Sequence, residues 1–230
     1  MSNIGVARAH DVQIASGATT LAGELNVPVN AQGVVLFAHG SGSSRHSPRN
    51  QYVARVIRAA GVGTLLFDLL TREEEAVDIY TRHLRFDIGL LADRLVAATN
   101  WLKGTGELAH LHVGYFGSST GGGAALVAAA EVGDQIGAVV SRGGRPDLAG
   151  EALPRVKSPT LLIVGGYDEP VIRLNEEAYA QLRCEKELKI VPNASHLFEE
   201  PGTLEEVARL AAEWFQQHLQ PQARETEARE

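Results

Sequence analysis

The sequence predicts an α/β fold: a mostly parallel sheet covered by helices on both faces, with an antiparallel hairpin at its N-terminal edge. Three observations carry this expectation. Short continuous apolar runs recur at Val34 to Ala38, Val62 to Leu69, His110 to Phe116, Ile136 to Val140, Thr160 to Val164 and Leu188 to Val191, as in strands buried on both faces. Segments with helical periodicity lie between runs, the alternation that gives parallel strands joined by crossover helices. Polar or glycine-rich stretches follow several of the runs, at the carboxyl ends of strands where such sheets hold their ligands.

The elements follow in order. Residues 7 to 27 read as two strands around Ser16-Gly17-Ala18, the second alternating through Leu21, Gly23 and Leu25 before Pro28, which is a hairpin pattern. The first helix opens at Ser47-Pro48, a cap residue followed by proline, and places Tyr52, Val53, Val56, Ile57 and Ala60 on one face before Gly61. A second carries Ile88, Leu91, Ala92, Leu95 and Trp101, and a third, small and apolar, follows the glycines at 121–123. The last starts at Thr203-Leu204-Glu205-Glu206, a capping-box pattern, and aligns Leu204, Val207, Leu210, Ala211 and Trp214. Residues 220–230 have no apolar face and are expected to form a solvated tail.

At 230 residues, with 44% hydrophobic and 21% charged, the chain suits one domain, expected over residues 1–219. Its formal charge of -7 opposes long-range attraction to nucleic acid. The single cysteine, Cys184, excludes an internal disulfide, a zinc knuckle and a CxxC pair. No basic stretch followed by a long apolar run opens the sequence, and no segment approaches a membrane span. A cytoplasmic protein without a membrane or nucleic-acid partner is the expectation.

The stretch Gly117-Ser118-Ser119-Thr120-Gly121-Gly122-Gly123 lies where a strand meets a helix. Two readings compete there: a phosphate cradle at a helix start, or a sharp turn that forces one serine into solvent as a nucleophile. The other strand ends decide between them. Gly165-Gly166-Tyr167-Asp168-Glu169-Pro170 follows one run, and Pro192-Asn193-Ala194-Ser195-His196-Leu197 follows another. A serine, an acid and a histidine therefore end three strands in that order, as in known G-x-S-x-G hydrolases. A serine hydroxyl needs a base to take its proton, and a histidine held by a carboxylate supplies one at neutral pH. Ser119, His196 and Asp168 are assigned as nucleophile, base and orienting acid. The weaker readings are a small turn residue for Ser119, a helix cap for Asp168, and a buried hydrogen-bonded ring for His196.

For the developing oxyanion, the elbow offers the Thr120 N–H. The loop His39-Gly40-Ser41-Gly42 offers a second donor, Ser41 in preference to Gly42. His39 is expected to brace that loop, and Asp68 to brace loops at the same sheet edge. Arg45, His46 and Arg49 crowd the start of the first helix, where cations oppose the dipole and call for an acidic partner or an anionic ligand. The acidic run Glu73-Glu74-Glu75 is the expected partner; Arg45, His46 and Arg142 are the candidate substrate contacts.

Together His39-Gly40-Ser41-Gly42, Gly117-Ser118-Ser119-Thr120-Gly121, Gly166-Tyr167-Asp168-Glu169-Pro170 and Ser195-His196 make the chain resemble the α/β-hydrolase superfamily, and within it the dienelactone hydrolase-like group, over roughly residues 10 to 218. The resemblance implies an eight-stranded sheet with the elbow on the fifth strand, and hydrolysis of esters or related acyl compounds without a cofactor. Dienelactone hydrolases use cysteine where Ser119 stands, which favours simple carboxylic esters over the dienelactone. The segment from about Arg142 to Ser158 is too short for a multi-helix lid, so an open site is expected. The paired acids and Thr-Gly loop of phosphoribosyltransferases do not occur. The reading is a serine esterase acting on a small-molecule ester and water, with no metal and with a homodimer as candidate assembly. A thioesterase, a lactonase and a non-catalytic ligand-binding or scaffold protein are the alternatives. Burial of Ser119 beneath a closed loop would favour the last.

Overall fold

The computed structural model describes residues 9–220; the solvated tail expected at 220–230 lies, after Gln220, outside the described residues. Eight strands form one sheet in the order β1-β2-β4-β3-β5-β6-β7-β8. β1 (His10–Ser16) and β2 (Thr19–Asn26) make the antiparallel hairpin, and β2 joins β4 (Gly63–Phe67) antiparallel. From β4 onward β3 (Gly33–Ala38), β5 (His112–Ser118), β6 (Ile136–Arg142), β7 (Thr160–Gly165) and β8 (Lys186–Val191) all pair in parallel. Every residue of β3, β4 and β7 is buried, which is why these strands appear in the sequence as unbroken apolar runs rather than alternating ones.

Helices α1 (Pro48–Ala59) and α6 (Thr203–His218) pack against each other over one apolar layer containing Val35, Phe37, Ile57, Phe116, Trp214 and Phe215. On the opposite face α3 (Ile88–Gly104) and α4 (Thr120–Val132) cover Leu36, Leu65, Tyr115 and Val139. α5 (Glu169–Gln181) flanks β7 and β8. In the second layer the Tyr115 hydroxyl meets Thr99 Oγ1 at 2.6 Å, which supplies the partner a buried hydroxyl requires. In the first, the Phe215 ring occupies the space where a side chain on Gly114 would stand, at 2.8 Å from an ideal Cβ.

One helix is additional to the sequence expectation, α2 (Arg72–Thr81), followed by a 3₁₀ turn at Leu84–Phe86. It carries a complete capping box: the Thr71 hydroxyl accepts from the Glu74 N–H, and the Glu74 carboxylate accepts from the Thr71 N–H. Its outer face leaves Val77, Ile79 and Tyr80 exposed, so no apolar stripe announces it. Asp78 is its buried anchor, accepting from the Leu84 N–H and pairing with Arg85. Burial alone would raise the Asp78 carboxyl, but the bonds from Arg85 and the backbone outweigh it and hold the group ionised. Among the described residues no helix is long and apolar enough to cross a membrane.

Phe215 packs a ring against a bare glycine in a fully buried layer. Phe215→Ala is expected to cost about 3–5 kcal/mol of stability, read as a lower urea midpoint with an unchanged slope.

Candidate active site

β5 ends in a sharp reversal into α4. Ser119 stands at its apex with φ 52° and ψ −123°, a left-handed backbone that a non-glycine residue adopts only at some cost. The chain closes on itself so tightly that a Cβ on Gly117 would lie 2.3 Å from the Gly121 carbonyl oxygen, and one on Gly121 would lie 2.2 Å from the Ala38 carbonyl oxygen. Only glycine fits at either place. The Ser119 N–H and C=O are fixed by Arg142 C=O at 3.4 Å and by the Arg145 N–H at 3.0 Å. Ser119 is half-buried rather than enclosed, and it lines a groove of about 250 Å³.

His196 lines the same groove from the loop after β8, and its Nδ1 lies 2.6 Å from Asp168 Oδ2, at the end of β7. The Asp168 side chain is 13% exposed and the histidine 39%, so the acid is the sheltered member and the ring faces the groove. With Nδ1 engaged, Nε2 is the nitrogen left to exchange a proton. Asp168 makes no side-chain cap to α5 although it stands at the N-cap position; its carboxylate is committed to His196.

The loop after β3 meets the elbow at van der Waals distance, a Cβ on Gly40 falling 3.0 Å from Ser119 Cβ. Ser41 lines the groove with Ser119. Neither the Ser41 nor the Thr120 N–H has a backbone acceptor among the described residues. His39 fastens this loop: its Nε2 accepts from the Leu69 N–H at 3.0 Å, which places the proton on Nδ1, 3.0 Å from the Gly40 carbonyl oxygen that accepts it. Burial lowers the pKa of the ring and keeps it neutral, against the opposing pull of the Gly40 carbonyl and Asp68.

Of the three candidate substrate contacts, the structure brings only Arg142 to the groove. Arg45 is paired to Asp68 through both its N–H and its guanidinium, and His46 is exposed. The expected partnership with Glu73-Glu74-Glu75 is not made by Arg45, because Asp68 reaches it from the end of β4. Glu74 serves the α2 cap and Arg94 instead. Arg142 is 5% exposed; desolvation, with some repulsion from Arg49, pushes its guanidinium down to about 10, so it stays charged at neutral pH. Arg49, one of the cations noted at the start of α1, lines the groove. Asn50 was not singled out from sequence: buried in the first turn of α1, it accepts from both Arg142 Nη2 and Ser118 Oγ, and nothing in the sequence separates it from other polar helix residues.

The segment after β6 holds a kinked 3₁₀ stretch, Pro146–Arg155, and no helical lid. The loop after β3 is covered from elsewhere: Glu75, Asp78 and Arg85 line a narrow cavity with Ser41, Gly42 and Thr120. Burial and the nearby Asp68 and Asp78 charges raise the Glu75 carboxyl, partly offset by Arg85. Among the described residues no cluster of side chains could hold a metal ion.

A family model described as the dienelactone hydrolase family matches residues 19–221. The fold is similar to a crystal structure of a dienelactone hydrolase from Anabaena variabilis, with 64% identity, a TM-score of 0.92, and coverage of 93% of this chain and 99% of that one. It is similar in fold alone to Est1E from Butyrivibrio proteoclasticus, at 17% identity and a TM-score of 0.75, covering 90% and 98%. Two curated proteins of Mycobacterium tuberculosis, which carry a provisional phosphoribosyl transferase name, are 58% identical over 212 residues, 92% of this chain and 47% of theirs. The chain thus spans about half the length of the curated relatives it matches.

His39 gives this site a pH signature in folding. Its pKa is lower in the fold than in the unfolded chain, so its stabilisation is present above about 6.5 and fades as acid protonates the unfolded state first. The native chain is expected to lose stability between pH 7.5 and 5.5 with a contribution from this group of at most about 1.4 kcal/mol per pH unit. Urea titrations of His39→Gln should show a shallower loss; an identical slope would remove His39 from the account.

Proposed function

The chain belongs to the dienelactone hydrolase family, and from that premise we propose that it is a serine hydrolase that cleaves small carboxylic esters through an acyl-enzyme. The observation that carries this is the convergence on one groove of a solvent-reachable Ser119 at a left-handed apex and a His196 whose far nitrogen is bound by Asp168 at 2.6 Å. Ser119 Oγ adds to the ester carbonyl while His196 Nε2 takes its proton. The carbonyl oxygen, now an anion, is held by the Ser41 and Thr120 N–H groups. Collapse of the intermediate expels the alcohol, which leaves with the proton from His196. Water then gives a proton to the same nitrogen and attacks the acyl carbon, releasing the acid and restoring Ser119.

The half-buried, groove-lining position of Ser119 supports turnover over the scaffold reading, which an enclosed serine would have favoured. Thioesters and lactones place the same carbonyl at the same serine, and only a substrate comparison separates them from esters. The mycobacterial name is not carried over: more than half of those chains lies outside the match.

A small fluorophosphonate is expected to add one phosphonyl group to the native chain and none to Ser119→Ala, by intact-protein mass spectrometry. Asp168→Asn should keep the fold and lower kcat on a short-chain p-nitrophenyl ester by roughly 10⁴-fold, with KM little changed. An unlabelled native chain with a normal melting transition would overturn the assignment.

A further inference from the structure

Arg142 is a buried cation without an acid. Its Nη2 donates to Asn50 Oδ1 at 3.1 Å, its Nε is enclosed with no partner, and among the described residues no carboxylate forms an ion pair with it. Such a charge is costly to bury. This one lies on the groove of Ser119 and His196, and Nη1, neither bonded nor enclosed, is the nitrogen it leaves for a ligand.

The surroundings add to the positive potential. Arg49 lines the same groove, near enough for its charge to act on Arg142. Ser43 and Ser47 also line it, and α1 begins there with no acidic residue in its first turn. The acids nearby are Glu199, 63% exposed and 3.3 Å from Arg49, Asp168, which is held by His196, and Glu75, which lines the adjoining cavity with Ser41 and Ser43.

We propose that this end of the groove binds a phosphate monoester group on the substrate, so that the ester cleaved at Ser119 is a phosphorylated one. The shape of the donor set favours phosphate over carboxylate. A planar carboxylate is best met by two parallel N–H groups of one guanidinium, and Arg142 cannot offer that fork with Nη2 on Asn50 and Nε enclosed. What remains is one nitrogen of Arg142 at the end of β6, the Arg49 guanidinium on α1 with its Nη1 on Glu199, and the Ser43 and Ser47 hydroxyls before it. Donors arriving from several directions suit a tetrahedral dianion. The inference rests on the hydrolase reading for its chemistry, but the binding step stands apart from turnover.

The test is calorimetric titration of Ser119→Ala, which cannot turn over, with phenyl phosphate, inorganic phosphate and benzoate in a phosphate-free buffer. Phenyl phosphate is expected to bind saturably and at least about tenfold more tightly than benzoate, with inorganic phosphate competing. Adding Arg142→Gln should weaken it about tenfold or more, and adding the half-exposed Arg49→Gln about threefold. The second replacement keeps the test decisive if the buried one impairs folding. Benzoate binding as tightly as phenyl phosphate, no saturable phosphate binding, or binding indifferent to both arginines would each overturn the proposal. A fluorophosphonate adduct on Ser119 in a chain that ignores phosphate would sink this inference alone. Phosphate binding in a chain that takes no adduct would sink the hydrolase reading and leave the anion site.

Discussion

The structure turns on a steric constraint: a strand and a helix joined with no loop between them, at Ser119. For the turn to close, the backbone must pass within contact of itself at Gly117 and Gly121 and within contact of the β3 loop at Gly121 and Gly40. A side chain at either flanking glycine would force strand and helix apart. The strain at φ 52° persists because the rest of the sheet over-determines it: Arg142 and Arg145 hold the Ser119 backbone from one side, and the β3 loop presses on it from the other. The same closeness that excludes side chains sets the β3 loop against the serine, a Cβ on Gly40 falling 3.0 Å from Ser119 Cβ, and Ser41 lines the groove with it. The exposure of Ser119 and the packing around it have one geometric origin.

The sheet order does the remaining assembly. β3 and β5 are neighbours, so the loop after β3 and the turn at Ser119 emerge side by side. β6 is the next strand out and delivers Arg142 at its end, in register with Ser118. β7 and β8 place Asp168 and His196 on adjacent loops, close enough for a 2.6 Å contact between groups 28 residues apart. Parallel pairing is what makes this work, because it sends every carboxyl end to the same edge.

Much of this is legible in the sequence, because the relevant signals are local. The unbroken apolar runs mark doubly buried strands, and G-x-S-x-G between a run and an alanine-rich helix marks the turn by its own chemistry. Asp168 and His196 are legible by position, each standing a few residues past the end of an apolar run. The features that escape are non-local or lack a pattern. α2 has its capping box at Thr71 and Glu74, but the exposed Val77, Ile79 and Tyr80 deny it an amphipathic signature. The density of charge in the run Glu73-Glu74-Glu75 points Arg45 to the glutamates, whereas the lone Asp68, at the end of the neighbouring strand, is the acid that meets it. Asn50 becomes informative only once Ser118 and Arg142 are seen to converge on its carbonyl oxygen.

Arg142 shows why the chain's net charge of -7 says little about this groove. Long-range potential follows the sum of charges, but a bound group feels those within about a Debye length and feels them more strongly where water is excluded. Three acids near the site are committed elsewhere, Asp168 to His196, Asp68 to Arg45, and Asp78 to Arg85, and burial with the Asp68 and Asp78 charges raises the pKa of a fourth, Glu75, which weakens its negative charge. Arg142 is then left with Asn50, a neutral acceptor, and the Phe198 ring 5.8 Å away, and Arg49 with Glu199, a solvated acid. Pairing off its carboxylates thus leaves an acidic protein with a locally cationic groove at Ser119.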